Sequence, residues 1–211
     1  SCLVGSEMCI RDRLSQKNGF LPFVDIAYQG FGDGLEEDAK GLQHMANNVE
    51  EMLITTSCSK NFGLYRERTG AAIVIGKNSE HVGNARGKLL TLARSTYTMP
   101  PDHGAALVKT ILQNQELTKI WKQELSEMQQ RLLNLRQSLC DELRNTYNTS
   151  HFDFIESHKG MFSVLGFKET QMNQLREEYG VYGVGDGRIN IAGLSESHIP
   201  YVAKAIANVS K

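Results

Sequence analysis

The sequence predicts an α/β fold, in which strands and helices alternate along the chain. Short apolar runs rich in β-branched residues end in loops that carry glycine or hydroxyl side chains. A later apolar stripe repeats every three or four positions over about 31 residues, which indicates one long helix. An alternating order of strands and helices is typical of a layered α/β architecture.

Three strands are predicted in the first half of the chain. Residues 20–28 (FLPFVDIAY), 52–58 (MLITTSC) and 71–77 (AAIVIGK) are the apolar, β-capable runs. Residues 35–48 have a helical pattern and separate the first two runs. The glycine-rich residues 30–34 (GFGDG) complete no known phosphate-loop motif, so we interpret them as a turn.

The long helix follows a break at Pro100 and Pro101, since the residue before a proline avoids helical backbone. A coiled coil or a helix shared between two domains would explain its length, and we favour the shared helix with a boundary near residue 125. Its apolar stripe consists of Leu117, Trp121, Leu125, Met128, Leu132, Leu135, Leu139, Leu143 and Tyr147.

The sequence of the last quarter of the chain predicts shorter secondary-structure elements. Residues 153–158 and 161–166 read as strands that meet at Lys159 and Gly160, and residues 188–192 as another strand.

Two further helices complete the chain. Residues 169–179 predict a helix that ends at Gly180, and Ser195 is a candidate cap for a last helix. The apolar face of that last helix carries Ile199, Val202, Ile206 and Val209.

Composition excludes several classes of protein. The chain has 211 residues, with 23 basic and 24 acidic side chains and a net charge of −1, which gives no electrostatic basis for binding nucleic acid or an anionic membrane. No apolar run is long enough to span a bilayer. Four cysteines without C-x-x-C spacing, and scattered histidines, predict no metal site and favour a reducing cytoplasm.

The first thirteen residues, SCLVGSEMCIRDR, differ from the rest. They contain two of the four cysteines and follow neither a helical nor a strand period. They resemble translated adapter sequence, so we expect a non-native leader at residues 1–13, with an ordinary disordered leader as the alternative.

Candidate chemistry concentrates in residues 57–70 (SCSKNFGLYRERTG), directly after a predicted strand. Lys60 directly follows the hydroxyl side chains of Ser57 and Ser59, and Arg66 and Arg68 come six and eight residues later. A lysine near other cations has a lowered pKa and can attack a carbonyl, while hydroxyls and an arginine suit a phosphate. From the residues alone, a polar loop after a strand remains the plainer interpretation.

Four segments together resemble the aspartate and aromatic amino acid branch of the class I (fold type I) aminotransferases. Residues 57–70 resemble the cofactor-lysine motif, and residues 25–31 (DIAYQGF) resemble D-x-A-Y-Q-G-F. Residues 94–101 (RSTYTMPP) resemble R-x-x-Y-S-N-P-P, and residues 187–193 (GRINIAG) resemble G-R-[IV]-N-V-x-G. The resemblance extends over about residues 14–211 and implies a homodimer, which the cysteine content places in the cytoplasm.

The resemblance implies a domain organisation for the chain. Chains of this family are about twice as long, so this sequence resembles their C-terminal half. Residues 14–125 would belong to the large mixed-sheet domain that binds the cofactor, and residues 126–211 would form the small α+β domain, joined by the long helix.

The resemblance also implies roles for single residues around pyridoxal 5′-phosphate. Lys60 would bind the cofactor covalently and later move a proton between the substrate α-carbon and cofactor C4′. Asp25 would face the pyridine nitrogen, and Tyr28 would donate to the phenolic oxygen. The phosphate and substrate ligands would be Ser57, Ser59 and Arg68 for the phosphate, Arg188 for the substrate α-carboxylate, and Arg94 for a distal carboxylate at the neighbouring subunit.

The sequence departs from the family pattern at two places, and the second, beside the substrate pocket, leaves substrate choice open. Arg66 stands where the motif usually has asparagine, and Thr98 and Met99 replace the usual serine and asparagine. Aspartate or an aromatic amino acid would donate the amino group, and a 2-oxo acid such as 2-oxoglutarate would accept it. A truncated, inactive chain that only associates with other proteins is the competing interpretation.

Overall fold

The computed structural model describes residues 13–210, and these divide into two compact units between Leu125 and Ser126. The predicted non-native leader lies outside the described residues, apart from Arg13. No helix in the described range is long and apolar enough to cross a membrane. The assignment of the units to a large and a small domain remains a prediction.

A three-stranded sheet organises the first unit, as expected for an α/β fold. Its strands are β1 (Phe23–Ile26), β2 (Met52–Ser57) and β3 (Gly70–Ile75), in the order β1-β2-β3. β1 and β2 are parallel, and β2 and β3 are antiparallel. A parallel pair brings the carboxyl ends of both strands to one edge, and the candidate residues follow those ends.

One face of this sheet is packed and the other is open. Helix α1 comprises residues 13–18 within the described range, and helix α2 (Lys40–Asn48) contributes Met45 to a core with Met52 and Ile54. All three side chains are at most 5% exposed. Phe23 on β1 and Ile73 on β3 are exposed, so β2 is the best-covered strand.

Two elements of the first unit are shorter than predicted. β1 begins at Phe23 because Pro22 has no N–H to donate to a ladder. Helix α2 begins only at Lys40, because the preceding residues form turns. The Asp38 carboxylate closes these turns by accepting the N–H groups of Gly30, Gly32 and Asp33 at 2.8–2.9 Å.

Two helices that the sequence analysis did not predict follow the sheet. They are α3 (Ser79–Thr96) and α4 (His103–Gln113), separated by the two prolines. Asn78 caps α3 by accepting the N–H of His81 at 2.9 Å. Helix α3 buries no residue, and Gly83 and Gly87 interrupt its helical pattern in the sequence.

The predicted long helix is confirmed as α5 (Gln115–Tyr147), 33 residues that run from the first unit into the second. Burial varies along its apolar stripe. Leu117 and Met128 are exposed, whereas the other leucines of the stripe are at most 3% exposed: Leu125, Leu132, Leu135, Leu139 and Leu143.

The second unit packs short elements together with its part of α5. Strands β4 (Phe162–Val164) and β5 (Arg188–Asn190) form an antiparallel pair. Helix α6 (Glu169–Tyr179) ends where predicted, at Gly180, whose φ of 63° is the left-handed conformation that glycine tolerates. Helix α7 (Ile199–Val209) buries seven of its residues.

Two predictions for the second unit are wrong. Residues 153–158 do not form a strand, because Asp153–Ser157 is a 3-10 helix, and β4 pairs with β5 instead. Phe152 and Ile155 are both buried, and their spacing of three places them on one side of that helix. Ser195 occupies the N-cap position of the short 3-10 helix Glu196–His198 without a side-chain cap hydrogen bond, whereas His198 occupies the N-cap position of α7.

A buried arginine joins α5 to the turn before β4. Arg136 is 1% exposed, and its Nη2 donates to the carbonyl oxygen of Gly160 at 2.5 Å. Its Nε donates to Ser163 Oγ at 3.3 Å. Burial lowers the pKa of this guanidinium below its usual value.

Candidate functional site

The loop after β2 brings Lys60 to Tyr28, which lies in the loop after β1. Lys60 Nζ lies 4.5 Å from the centroid of the Tyr28 ring, within the range of a cation–π contact. Both side chains are half-buried. The parallel register explains their proximity, because each residue follows the carboxyl end of its own strand.

Two serines at the end of β2 form a small group of donors. Ser57 Oγ donates to Ser59 Oγ at 3.0 Å, and the Ser59 N–H donates to Ser57 Oγ at 3.2 Å. Ser59 is 6% exposed, so its hydroxyl is held away from bulk water. Hydroxyls and N–H groups at a strand end suit a phosphate. Cys58 between them has a raised pKa because burial disfavours its thiolate.

Arg68 lies on the return from this loop and holds an unusual backbone conformation. Its φ is 51°, in the left-handed region that a non-glycine residue adopts at a cost. Its Nη1 donates to the carbonyl oxygen of Tyr65 at 3.1 Å. A guanidinium has five N–H donors, so this single bond leaves donors for an anion.

Asp25 lies on β1 and is exposed. It is paired in register with Thr55, and the Thr55 hydroxyl donates to Asp25 Oδ1 at 3.0 Å. The apolar residues beside Asp25 in the sequence therefore do not bury it. Its carboxylate keeps acceptor capacity toward a ring nitrogen.

Asn61 and Trp121 are two residues of this site that the sequence analysis did not identify. Trp121 Nε1 on α5 donates to the carbonyl oxygen of Asn61 at 2.7 Å, and the Trp121 ring stacks on Phe62 with centroids 4.3 Å apart. Asn61 Nδ2 donates to the Gln29 carbonyl oxygen at 3.4 Å. Asn61 Oδ1 is buried without a hydrogen-bond partner among the described residues.

The two candidate substrate arginines lie on elements other than the loop of Lys60. Arg94 is exposed in the last turn of α3. Arg188 begins β5 in the second unit, where its guanidinium lies 5.6 Å from the Phe162 ring and 3.7 Å from Asp186 Oδ2. The roles of both arginines stay predictions.

The site thus has a lysine beside a tyrosine ring, hydroxyl and N–H donors at Ser57 and Ser59, and the guanidinium of Arg68 farther along the same loop. Within residues 13–210, no cluster of His, Cys, Asp and Glu side chains could hold a metal ion. The donors fit a phosphate, the lysine fits a carbonyl carbon and Asp25 fits a ring N–H. The class of protein that combines these features with an α/β sheet is one that binds a phosphorylated carbonyl compound.

Comparison with known proteins supplies the family. The model of aminotransferase class I and II matches residues 10–206, and the chain belongs to that family. An aromatic-amino-acid aminotransferase of Paracoccus denitrificans is 47% identical over 194 residues, which are 92% of this chain and 49% of that relative. An aspartate aminotransferase of Escherichia coli K12 is 44% identical over 197 residues, which are 93% of this chain and 50% of that relative. The chain spans about half the length of the curated relatives it matches.

Solved structures agree with this assignment. An aromatic amino acid aminotransferase with 3-indolebutyric acid has a TM-score of 0.95 and 44% identity, over 99% of this chain and 53% of that chain. An aromatic-amino-acid aminotransferase from Burkholderia pseudomallei, covalently bound to pyridoxal phosphate, has a TM-score of 0.93 and 36% identity. That match covers 99% of this chain and 52% of that chain. The predicted fold of the aminotransferase family is therefore confirmed.

Proposed function

We propose that this chain is the part of a pyridoxal phosphate-dependent aminotransferase that carries the cofactor lysine. The main observation behind this proposal is the position of Lys60 at the carboxyl end of the β1–β2 pair, where its Nζ lies 4.5 Å from the Tyr28 ring centroid. Family membership and a similar structure bound covalently to pyridoxal phosphate support the proposal. The cofactor, when bound, supplies an electron sink for negative charge at the substrate α-carbon.

The side chains of the first unit have distinct tasks under this proposal. Lys60 Nζ would hold the cofactor at its carbonyl carbon, with loss of water, and, once released, would hold and move a proton. The hydroxyl of Tyr28 would donate to the phenolic oxygen, and the carboxylate of Asp25 would accept a hydrogen bond from the ring N–H. The phosphate ligands are Ser57, Ser59 and Arg68, whose donors outnumber what their present contacts use.

Substrate binding is proposed for the two arginines. Arg188 binds the α-carboxylate of an amino acid, since a guanidinium matches a carboxylate in a bidentate way. Arg94 binds the distal carboxylate of a dicarboxylic substrate. Relatives named for aspartate and for aromatic amino acids are similarly close, so we propose both classes as donors and 2-oxoglutarate as an acceptor. We also propose a cytoplasmic homodimer for the whole protein.

An absorbance titration of the purified chain with pyridoxal phosphate tests this function. After borohydride reduction, we expect one labelled peptide, which contains Lys60, and a saturable band that Lys60→Ala abolishes. Lys77→Ala removes an exposed lysine paired with Glu50 at 3.1 Å and is the matched control, with an unchanged titration. Adding aspartate or phenylalanine should shift the band.

The same titration distinguishes the competing function. The open sheet face of the first unit favours a chain that only associates with other proteins. That alternative predicts no saturable band, or label spread over surface lysines.

A further inference from the structure

The start of helix α4 approaches the loop that carries Arg68 so closely that only glycine fits. Gly104 is the second residue of α4 and is buried. A Cβ added there would overlap Thr69 Oγ1 and would lie 2.7 Å from Glu67 Cβ. These two residues flank Arg68 in the sequence, so the helix backbone contacts the loop on both sides of the arginine.

Polar contacts fix the same two flanking residues. His103 Nδ1 lies 3.0 Å from Glu67 Oε2, so the imidazole N–H donates to the carboxylate. Thr69 Oγ1 donates to the carbonyl oxygen of Glu67 at 3.3 Å, which bridges the chain across Arg68. The carbonyl oxygen of Thr69 in turn accepts the N–H of Cys58 at 3.0 Å, and Cys58 lies between the two candidate phosphate serines.

Arg68 itself adopts the left-handed backbone conformation, with φ at 51°. Such a conformation persists in a non-glycine residue only where the surrounding structure determines it. The contacts of Glu67 and Thr69 hold the backbone of Arg68 in this conformation. A relaxed loop would allow Arg68 to return to an ordinary backbone conformation and would move its guanidinium.

We infer that Gly104 and His103 are positioning residues for Arg68, which they hold in its left-handed conformation for an anion beside Ser57 and Ser59. The inference rests on the proposed function, in which Arg68 binds the cofactor phosphate. Gly104 has the larger role because its contacts are buried, whereas the side chain of His103 is 70% exposed.

The test compares the affinity of the purified chain for pyridoxal phosphate with its affinity for pyridoxal, which lacks the phosphate. Arg68→Ala should reduce the preference for the phosphorylated compound about tenfold, the value of one charge-assisted contact. Gly104→Ala should also reduce the preference for pyridoxal phosphate over pyridoxal, and His103→Ala should reduce it less. The double variant Gly104→Ala with Arg68→Ala should lose no more than Arg68→Ala alone.

Gly87→Ala is the matched control, because a Cβ at this glycine of α3 meets nothing within 4 Å. A second measurement needs no ligand. The N–H of Cys58 donates a hydrogen bond to the carbonyl oxygen of Thr69, so its amide hydrogen exchange should accelerate in Gly104→Ala and not in Gly87→Ala.

The outcomes separate the two proposals. Absence of any binding, or an unchanged preference in Arg68→Ala, would overturn the proposed function, and the exchange rates alone would then decide whether α4 holds the loop. A reduced preference in Arg68→Ala, together with wild-type preference and wild-type exchange in Gly104→Ala, would overturn the positioning role.

Discussion

Among single residues, Thr98 has a backbone conformation that its side chain disfavours. Its φ is 65°, and a β-branched residue is strained in the left-handed region. The strain is imposed by the end of α3, where the N–H groups of Tyr97 and Thr98 both donate to the carbonyl oxygen of Ala93 at 3.0 and 2.9 Å. The chain must turn there to reach the two prolines.

Thr98→Asn is therefore expected to raise the free energy of unfolding by about 1 kcal/mol, because asparagine tolerates the left-handed region better. Urea denaturation of the purified chain measures the change. Thr96→Asn, in the last turn of the helix, should bring no gain. Equal effects at the two positions would show that the conformation of Thr98 is unstrained.

His158 lies where protonation is unfavourable. Its pKa is lowered, first because burial disfavours the charged imidazole and second because Arg136 repels it. The unfolded chain therefore binds more protons than the folded chain at pH values just below the ordinary histidine pKa of 6.5. The free energy of unfolding consequently decreases as the pH falls through that range.

The free energy of unfolding should decrease as the pH falls from about 7.5 to 5.5, and His158→Gln should make that decrease smaller. Urea denaturation at several pH values measures the slope. His44→Gln, on α2 in the other unit, controls for the general effect of removing an imidazole. An unchanged slope in His158→Gln would mean that other groups cause the acid sensitivity.

Among the elements, α5 has one stripe with two different environments. Leu139 and Leu143 are fully buried in the second unit, whereas Leu117 near the start of the helix is 38% exposed. Truncating a leucine costs stability according to what surrounds it, because a rigid core leaves a cavity. The regular spacing of the stripe does not distinguish these environments.

Leu139→Ala should cost about 3 kcal/mol of unfolding free energy. Leu117→Ala should cost less than about 1 kcal/mol, because water already reaches this side chain. Chemical denaturation followed by circular dichroism measures both variants. Similar losses at the two positions would contradict the difference in burial.

Helix α5 also fixes the loop of Lys60 through Trp121. The hydrogen bond from Trp121 Nε1 to the carbonyl oxygen of Asn61 should contribute about 1 kcal/mol to the free energy of unfolding. Its removal also leaves that carbonyl oxygen unpaired, which costs further stability. Trp121→Phe keeps an aromatic ring over Phe62 and should lower stability by about 1–3 kcal/mol. Tyr65→Phe, at an exposed tyrosine of the same loop, should change little. Thermal unfolding compares the two.

The elements that local pattern could predict are those whose burial is periodic. The stripe of α5 and the β-branched run of β2 have a clear period, and both form. Helix α3 was not predicted because Gly83 and Gly87 weaken its helical pattern. Asp153–Ser157 was assigned wrongly because a short apolar run suits a strand or a 3-10 helix.

The candidate site was predictable only in part, for a related reason. Family motifs identify Lys60 and Tyr28, but their proximity results from the parallel register of β1 and β2. The bond between Trp121 and Asn61 joins residues 60 positions apart, and no local pattern signals a contact at that separation. The close approach of Gly104 to Thr69 is hidden in the same way.

In the whole molecule, the sheet of the first unit leaves both of its edges unpaired among the described residues. β1 and β3 are both edge strands, and each exposes a large apolar side chain: Phe23 is 67% exposed and Ile73 is 44% exposed. Unpaired strand edges with apolar side chains promote pairing between chains.

The purified chain is therefore expected to self-associate through this sheet, with an apparent mass that rises with concentration. Replacing Phe23 and Ile73 together by threonine keeps residues that suit strands but removes apolar area, so the monomer fraction should increase. Leu112→Gln, at a 53% exposed leucine of α4, is the control and should leave association unchanged. Light scattering after size-exclusion chromatography measures each mass. If the threonine variant associated as strongly as the original chain while Leu112→Gln did not, the self-association interface would lie on the helices instead of the sheet.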